Sequence, residues 1–229
     1  MSLPAERLAG AVIAFDLDGT LADTAPDLVG ALNALLAEQD LPALPLATAR
    51  VMVGRGARAL IEQGFAAAGR PLAAEAAPGL VARFIALYRD RIAQETQLFP
   101  GTEACLDALA AAGATLVVCT NKRTDLSVAL LDALGLTTRF AAVVGADLAP
   151  APKPDARHLL TALAAAGGEA GRALMIGDSA SDVGAARAAG VPSVVMRFGY
   201  TEIPADDLGG DHVLDGYDEL APLALKLLG

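Results

Sequence analysis

The chain has 229 residues, 54% of them hydrophobic, with no Trp and only 4% aromatic residues, so Ala, Leu and Val must fill a sizeable core. Its formal net charge of −10 argues against a nucleic-acid partner, because phosphate backbones need a basic face, whereas a small anion needs only a locally positive site. Two Cys and two His without metal-ligand spacing argue against a zinc site, and no charge-free apolar stretch approaches the roughly 20 residues that span a bilayer.

In chain order, Ala11–Phe15 reads as a short buried strand. Residues from about 22 to 97 read as helical, with no strand expected. Pro26–Glu38 carries leucines at helical spacing behind Asp23 and Thr24 as candidate caps. Ala57–Ala68 and Leu80–Arg91 repeat the amphipathic pattern. From about residue 98 short apolar strands alternate with helices. The strands are Thr115–Cys119, Ala141–Val144, Ala173–Ile176 and Ser193–Met196; the helices are Thr102–Ala112, Asp125–Leu134, Asp155–Ala166, Asp182–Ala189 and Asp218–Leu228. Such alternation implies an α/β fold with a doubly wound parallel sheet, Rossmann-like, covered on both faces. The domain expectation is a core of residues 1–21 and 98–229, with an all-helical cap, residues 22–97, inserted after the first strand and able to close over the site.

Ligands of such sheets bind beyond the carboxyl ends of the strands, and four polar clusters fall there. Asp16-Leu17-Asp18-Gly19-Thr20 follows the first strand. Residues i and i+2 of an extended chain point the same way, so both carboxylates would face one volume, where a divalent cation or a shared proton relieves their repulsion. Thr120-Asn121-Lys122 follows the second strand and offers a hydroxyl and an amide to an oxyanion. Lys153-Pro154 follows a proline-rich loop, with Pro154 expected in the first turn of the next helix. Lys occurs only at 122, 153 and 226 against many Arg, which marks Lys153 as a place for a compact ammonium facing a phosphoryl oxygen. Gly177-Asp178-Ser179-Ala180-Ser181-Asp182 follows a fourth strand; Asp178 suits a hard cation, while Asp182 has the plainer alternative of a helix cap.

Taken together, the ordered motifs Asp16-x-Asp18-Gly-Thr, Thr120-Asn121, Lys153-Pro154 and Gly177-Asp178-x-x-x-Asp182 resemble the haloacid dehalogenase-like hydrolase superfamily over nearly the whole chain, with a subclass I cap. The resemblance implies a Mg²⁺-dependent phosphatase. It makes Asp16 the nucleophile and Asp18 the acid/base group. It gives Mg²⁺ to Asp16, Asp178 and the Asp18 backbone carbonyl. Thr120, Asn121 and Lys153 would stabilise the phosphoryl group, with Asp182 and Thr20 as supporting groups behind them. Finer features, Leu21-Ala-Asp23-Thr-Ala-Pro-Asp27-Leu, Val53-Gly54-Arg55-Gly56-Ala57 and Phe198-Gly199-Tyr200, are similar to the phosphoglycolate phosphatases within that superfamily. That likeness implies 2-phosphoglycolate, a small anionic ester, as substrate. Phosphatases of sugar or amino-sugar phosphates and sugar phosphomutases share the core motifs, and a non-catalytic regulatory domain is the reading from another class.

Asp18 speaks against a dehalogenase, and the lack of Lys in residues 22–97 speaks against Schiff-base chemistry in the cap. Arg55 and Arg58 border a Gly-bounded loop and are candidates for the substrate's second anion; the alternative is solvated helix-start residues. Cys105 and Cys119 read as small core residues of a reducing compartment. No basic segment followed by an apolar run opens the chain, so a cytoplasmic location is expected, with no membrane partner. The sequence leaves the oligomeric state open.

Overall fold

Strand-forming runs and helices alternate as their burial demands. The computed structural model describes residues 6–201 and 203–229. The first five residues, assigned to the core above, lie outside the described residues. The chain runs through β1 (Val12–Phe15), β2 (Ala22–Asp23), α1 (Ala25–Ala37), α2 (Leu46–Arg50), α3 (Ala57–Ala67) and α4 (Ala77–Arg89). It continues through β3 (Gln97–Leu98), α5 (Thr102–Ala111), β4 (Thr115–Thr120), α6 (Thr124–Ala133), β5 (Ala142–Gly145) and α7 (Ala156–Ala165). It ends with β6 (Ala173–Gly177), α8 (Ala180–Ala189), β7 (Ser193–Met196), β8 (His212–Leu214) and α9 (Leu220–Leu228).

Six strands form one parallel sheet in the order β5-β4-β1-β6-β7-β8. Period-2 alternation divides its side chains between two cores. Ile13 and Phe15 of β1, Leu116 and Val118 of β4, and Leu174 and Ile176 of β6 face one side with α5 and α9. Val12, Ala14, Val117, Cys119, Ala173 and Met175 face the other with α7 and α8. Burial on both faces explains why these strands read as unbroken apolar runs. After β1 the chain builds one half of the sheet through β4 and β5, then crosses back to β6. Strand β1 therefore lies at the topological switch point. Phe15 stands beside Val118 on one side and Ile176 on the other, so the residues that follow leave the sheet at one level.

Helices α1 to α4 gather around a cluster of their own, including Leu32, Leu35, Ile61, Phe65, Phe84 and Tyr88; Leu126 of α6 and Tyr200 of the core join it from below. No helix among the described residues is long and apolar enough to cross a membrane.

Several elements depart from the sequence expectations. Strands β2 and β3 pair antiparallel, Ala22 with Leu98 and Asp23 with Gln97, and make a two-stranded stem where the helical insert leaves and rejoins the core. Two-residue strands carry no readable alternation, which is why a wholly helical insert was expected. Helix α2, with five residues, and edge strand β8, with three, are also too short to carry a readable pattern. Pro154 does not open α7: Asp155 is its N-cap, accepting from the Arg157 N–H at 2.9 Å, so the proline falls one residue outside. Similarly α8 begins at Ala180 rather than Asp182.

Candidate active site

Asp16 leaves β1 still tied to the sheet, its N–H donating to the Ile176 carbonyl at 2.8 Å. One carboxylate oxygen accepts from the Leu17 N–H at 2.7 Å and lies 3.1 Å from the Lys153 ammonium. Lys153 also donates to Asp182 Oδ1 at 2.6 Å and to the Cys119 carbonyl at 2.7 Å, which matches its three N–H groups. Its side chain is fully buried. Burial alone would lower this ammonium, but Asp16 and Asp182 outweigh it and hold Lys153 above the usual lysine range.

Asp178 follows β6 and faces Asp16. Its carboxylate accepts from Thr20 Oγ1 at 2.8 Å and from the Tyr200 N–H at 2.6 Å. Gly19, at φ +82°, lets the first motif turn against it; a Cβ there would collide with the Asp178 carboxylate. Asp182 is the N3 member of a capping box with Ser179. Its Oδ2 accepts from the Ser179 hydroxyl at 2.6 Å and from the N–H groups of Ser179 and Asp178 at 3.0 and 3.2 Å. Asp182 thus caps α8 through Oδ2 and accepts from Lys153 through Oδ1.

Asp16, Asp178 and Asp182 each offer a carboxylate oxygen, all within 4.8 Å of one another, and all three are buried. Burial, then Asp182 and Asp18, push Asp16 up to about 6 against the pull of Lys153. Burial, then Asp182 and Asp16, raise Asp178 well above the usual carboxylate range. One ammonium balances this group only in part, which is the electrostatic condition of a cation site. The three buried carboxylates together form a group that could hold a metal ion.

Asp18 points towards the insert. Lys122 Nζ donates to both its oxygens, at 2.7 and 2.8 Å, and Thr24 Oγ1 donates to Oδ1 at 2.7 Å. Thr24 is the N-cap residue of α1, yet its hydroxyl makes no cap bond and serves Asp18 instead. Lys122 is buried and lies 4.7 Å from the centre of the Tyr88 ring. The scarcity of lysine that singled out Lys153 applied equally to Lys122, and was the signal that could have found it. Tyr88 gave none, being an aromatic at core spacing in α4. His158 was missed too: its Nδ1 accepts from the Lys153 N–H at 3.1 Å and its Nε2 lies 3.2 Å from the Val144 carbonyl, so it holds the lysine loop.

The Asn121 amide, expected to face an oxyanion, is occupied by protein: it donates to the Gly54 and Lys153 carbonyls at 3.2 and 3.1 Å and accepts from the Lys153 N–H at 2.9 Å. It ties the insert's loop to the lysine loop. Thr120 Oγ1 accepts from the Lys122 N–H at 3.2 Å. Arg55 is exposed and lines an outer cavity of about 480 Å³ shared with Lys153, Ser179 and Tyr200. Arg58 pairs with Glu62 at 2.8 Å on the surface, the solvated alternative. A smaller cavity, about 60 Å³, lies deeper between insert and core, lined by Asp18, Lys122, Tyr88 and Phe84 among others.

The family whose description matches residues 13–196 is the haloacid dehalogenase-like hydrolases. The chain is 60% identical over 221 residues to a phosphoglycolate phosphatase of Caulobacter vibrioides, covering 96% of this chain and 93% of that protein. It is 44% identical over 214 residues to a phosphoglycolate phosphatase of Agrobacterium fabrum, covering 93% and 92%. Among solved structures, one described as a predicted phosphoglycolate phosphatase from Haemophilus somnus superposes with a TM-score of 0.86 at 28% identity, covering 94% of this chain and 98% of that one.

Proposed function

The chain belongs to the haloacid dehalogenase-like hydrolase family, and from that premise we propose that it hydrolyses 2-phosphoglycolate through an aspartyl-phosphate on Asp16. The observation that carries the reading is the buried group of Asp16, Asp178 and Asp182, with Lys153 touching two of its members. The relatives named phosphoglycolate phosphatase, similar over nearly the full length, supply the substrate.

In this reading Asp16 attacks phosphorus, and Lys153 neutralises charge on the transferring phosphoryl oxygens. The Thr120 hydroxyl assists the same oxygens, while Asn121 acts through its amide by fixing the Lys153 backbone. Asp18 gives a proton to the departing alkoxide and later takes one from the water that cleaves the acyl phosphate. Lys122 and Thr24 hold the Asp18 carboxylate ready between the two half-reactions. His158 and Asp182 keep Lys153 in place from behind. Arg55, at the exposed mouth, draws the anionic ester in.

The donor set fits Mg²⁺: hard oxygens only, its carboxylates crowded and buried, with a shortage of positive charge. Asp16, Asp178 and the Asp18 backbone carbonyl would hold it, and when bound it supplies a Lewis acid for a phosphoryl oxygen. Thr20 keeps the Asp178 carboxylate aimed, and Asp182 completes the capping box behind it.

Phosphate release from 2-phosphoglycolate, assayed with and without Mg²⁺, tests the proposal. Turnover should require the metal and vanish in Asp16→Asn while thermal unfolding stays cooperative. Retained turnover in that variant would remove Asp16 as nucleophile; no Mg²⁺-dependent turnover of any small phosphate ester would remove the phosphatase reading itself.

A further inference from the structure

Tyr88 is fully buried, yet its hydroxyl has no hydrogen-bond partner among the described residues. An unpartnered buried hydroxyl costs about 1–3 kcal/mol. Nothing in the packing demands it: the ring stacks on Phe84, with centroids 6.3 Å apart and planes 8° off parallel, and a phenylalanine would do the same. The hydroxyl therefore calls for an explanation outside the folded chain.

Its surroundings suggest one. Tyr88 lines the deep cavity of about 60 Å³ together with Asp18 and Lys122. Leu28, Leu60, Phe84 and Leu126 make most of the remaining wall apolar. Lys122 brings a buried ammonium that already sits 4.7 Å from the centre of the Tyr88 ring. An ammonium has three donors and no acceptor, and the bonds to Asp18 account for two of them. A cavity holding one water needs about 10–15 Å³ on this measure, so this one admits a fragment of a few heavy atoms and is small for a sugar ring. It adjoins Asp18, the group that must meet the leaving alkoxide, and it lies apart from Lys153, which meets the phosphoryl end.

We propose that Tyr88 and Lys122 form the receptor for the substrate's second anion, a carboxylate placed two bonds from the ester oxygen, and so determine specificity. The inference rests on the phosphatase reading and deepens it by naming the residues that read the acid of a short phosphate ester of a 2-hydroxy acid. It moves carboxylate recognition from Arg55, at the exposed mouth, to a buried pair on α4 and the loop after β4. The insert reads the acid with a hydroxyl and the core reads it with an ammonium, so both must be in place before the acid is bound.

The test compares kcat/KM for 2-phosphoglycolate and for ethyl phosphate, which keeps the length and lacks the carboxylate. The wild-type protein should prefer 2-phosphoglycolate. Tyr88→Phe should lower that preference by at least about tenfold, the effect of one charge-assisted hydrogen bond. Its melting temperature should stay level or rise, because the substitution breaks no bond in the free protein. An unchanged preference in Tyr88→Phe overturns the proposal. So does a preference that responds to Arg55→Ala and not to Tyr88→Phe. Turnover of ethyl phosphate with no wild-type preference for the acid brings down this inference alone. Absence of turnover of every ester brings down the phosphatase reading and this inference with it.

Discussion

Lys153 shows how much chemistry one side chain can concentrate. Its ammonium meets Asp16, Asp182 and the Cys119 carbonyl, three acceptors set around a compact tetrahedral charge. A planar guanidinium is larger and spreads its donors in one plane, so it cannot reach the same three atoms from the same backbone. Lys153→Arg should keep the charge and lose the geometry, lowering kcat by about 10²–10³-fold, the range for removal of one preorganised donor. Near wild-type kcat in a folded Lys153→Arg protein would show that only the charge counts. The residue scale is also where the sequence was read best. Asp16 and Asp178 each directly follow a buried strand, which is the sequence signal they carry, whereas Lys153 lies beyond a proline-rich loop and stands out by the scarcity of lysine. Lys122 was harder, because its role depends on a carboxylate 104 positions earlier in the chain. Tyr88 was harder still, because the lack of a hydrogen bond leaves no trace in sequence.

At the scale of an element, helix α7 carries His158 into the core beneath the lysine loop. Burial, then the Lys153 charge, lower this imidazole to about 4 from the usual 6.5. The neutral ring accepts from the Lys153 N–H through Nδ1 and faces the Val144 carbonyl with Nε2, which fixes its tautomer. A protonated ring would have to give up the Lys153 bond. Because the folded value is depressed, the unfolded chain takes up the proton first as pH falls. The contribution of His158 is thus complete above about pH 6.5, declines below it, and is lost as pH falls through about 4. His158→Gln isolates the effect, since the buried carboxylates titrate in both proteins. The stability gap between wild type and His158→Gln, measured by urea unfolding, should narrow between pH 6.5 and 4 by roughly 3 kcal/mol, from 1.36 kcal/mol per pKa unit. A gap that holds constant over that window would mean that the ring is already charged in the folded protein. Helix α1 is legible in the sequence from its leucines at helical spacing. The stem strands β2 and β3 are not, because their pairing joins residues on either side of the whole insert.

On the scale of the molecule, the question is how the insert and the core are held in register. We propose the division into core, residues 1–21 and 98–229, and cap, residues 22–97, on the ground that α1 to α4 have a hydrophobic cluster of their own. Tyr200 spans that division. Its N–H holds Asp178 in the candidate metal site, while its hydroxyl accepts from the Ala25 N–H at 3.0 Å and donates to Asp23 on the stem. Asp23 in turn pairs with Arg50 of α2 at 3.0 Å, and the Arg50 guanidinium lies 5.3 Å over the Tyr200 ring. The backbone of one residue thus serves the core while its side chain serves the cap. Tyr200→Phe separates the two roles: it leaves the bond to Asp178 intact and strips the Ala25 N–H of its acceptor. Leaving a buried donor unpaired costs about 1–3 kcal/mol. The variant should lose stability in that range, and hydrogen exchange should accelerate at Ala25 and through the first turn of α1. Mg²⁺ affinity, measured by calorimetry, should fall far less than in Asp178→Ala. KM for 2-phosphoglycolate should rise, since the receptor of Lys122 and Tyr88 is complete only while the cap is seated on the core. Equal losses of metal affinity in Tyr200→Phe and Asp178→Ala would show that the hydroxyl supports the metal site itself. In that case the cap contacts of Tyr200 and the candidate metal site would be a single unit.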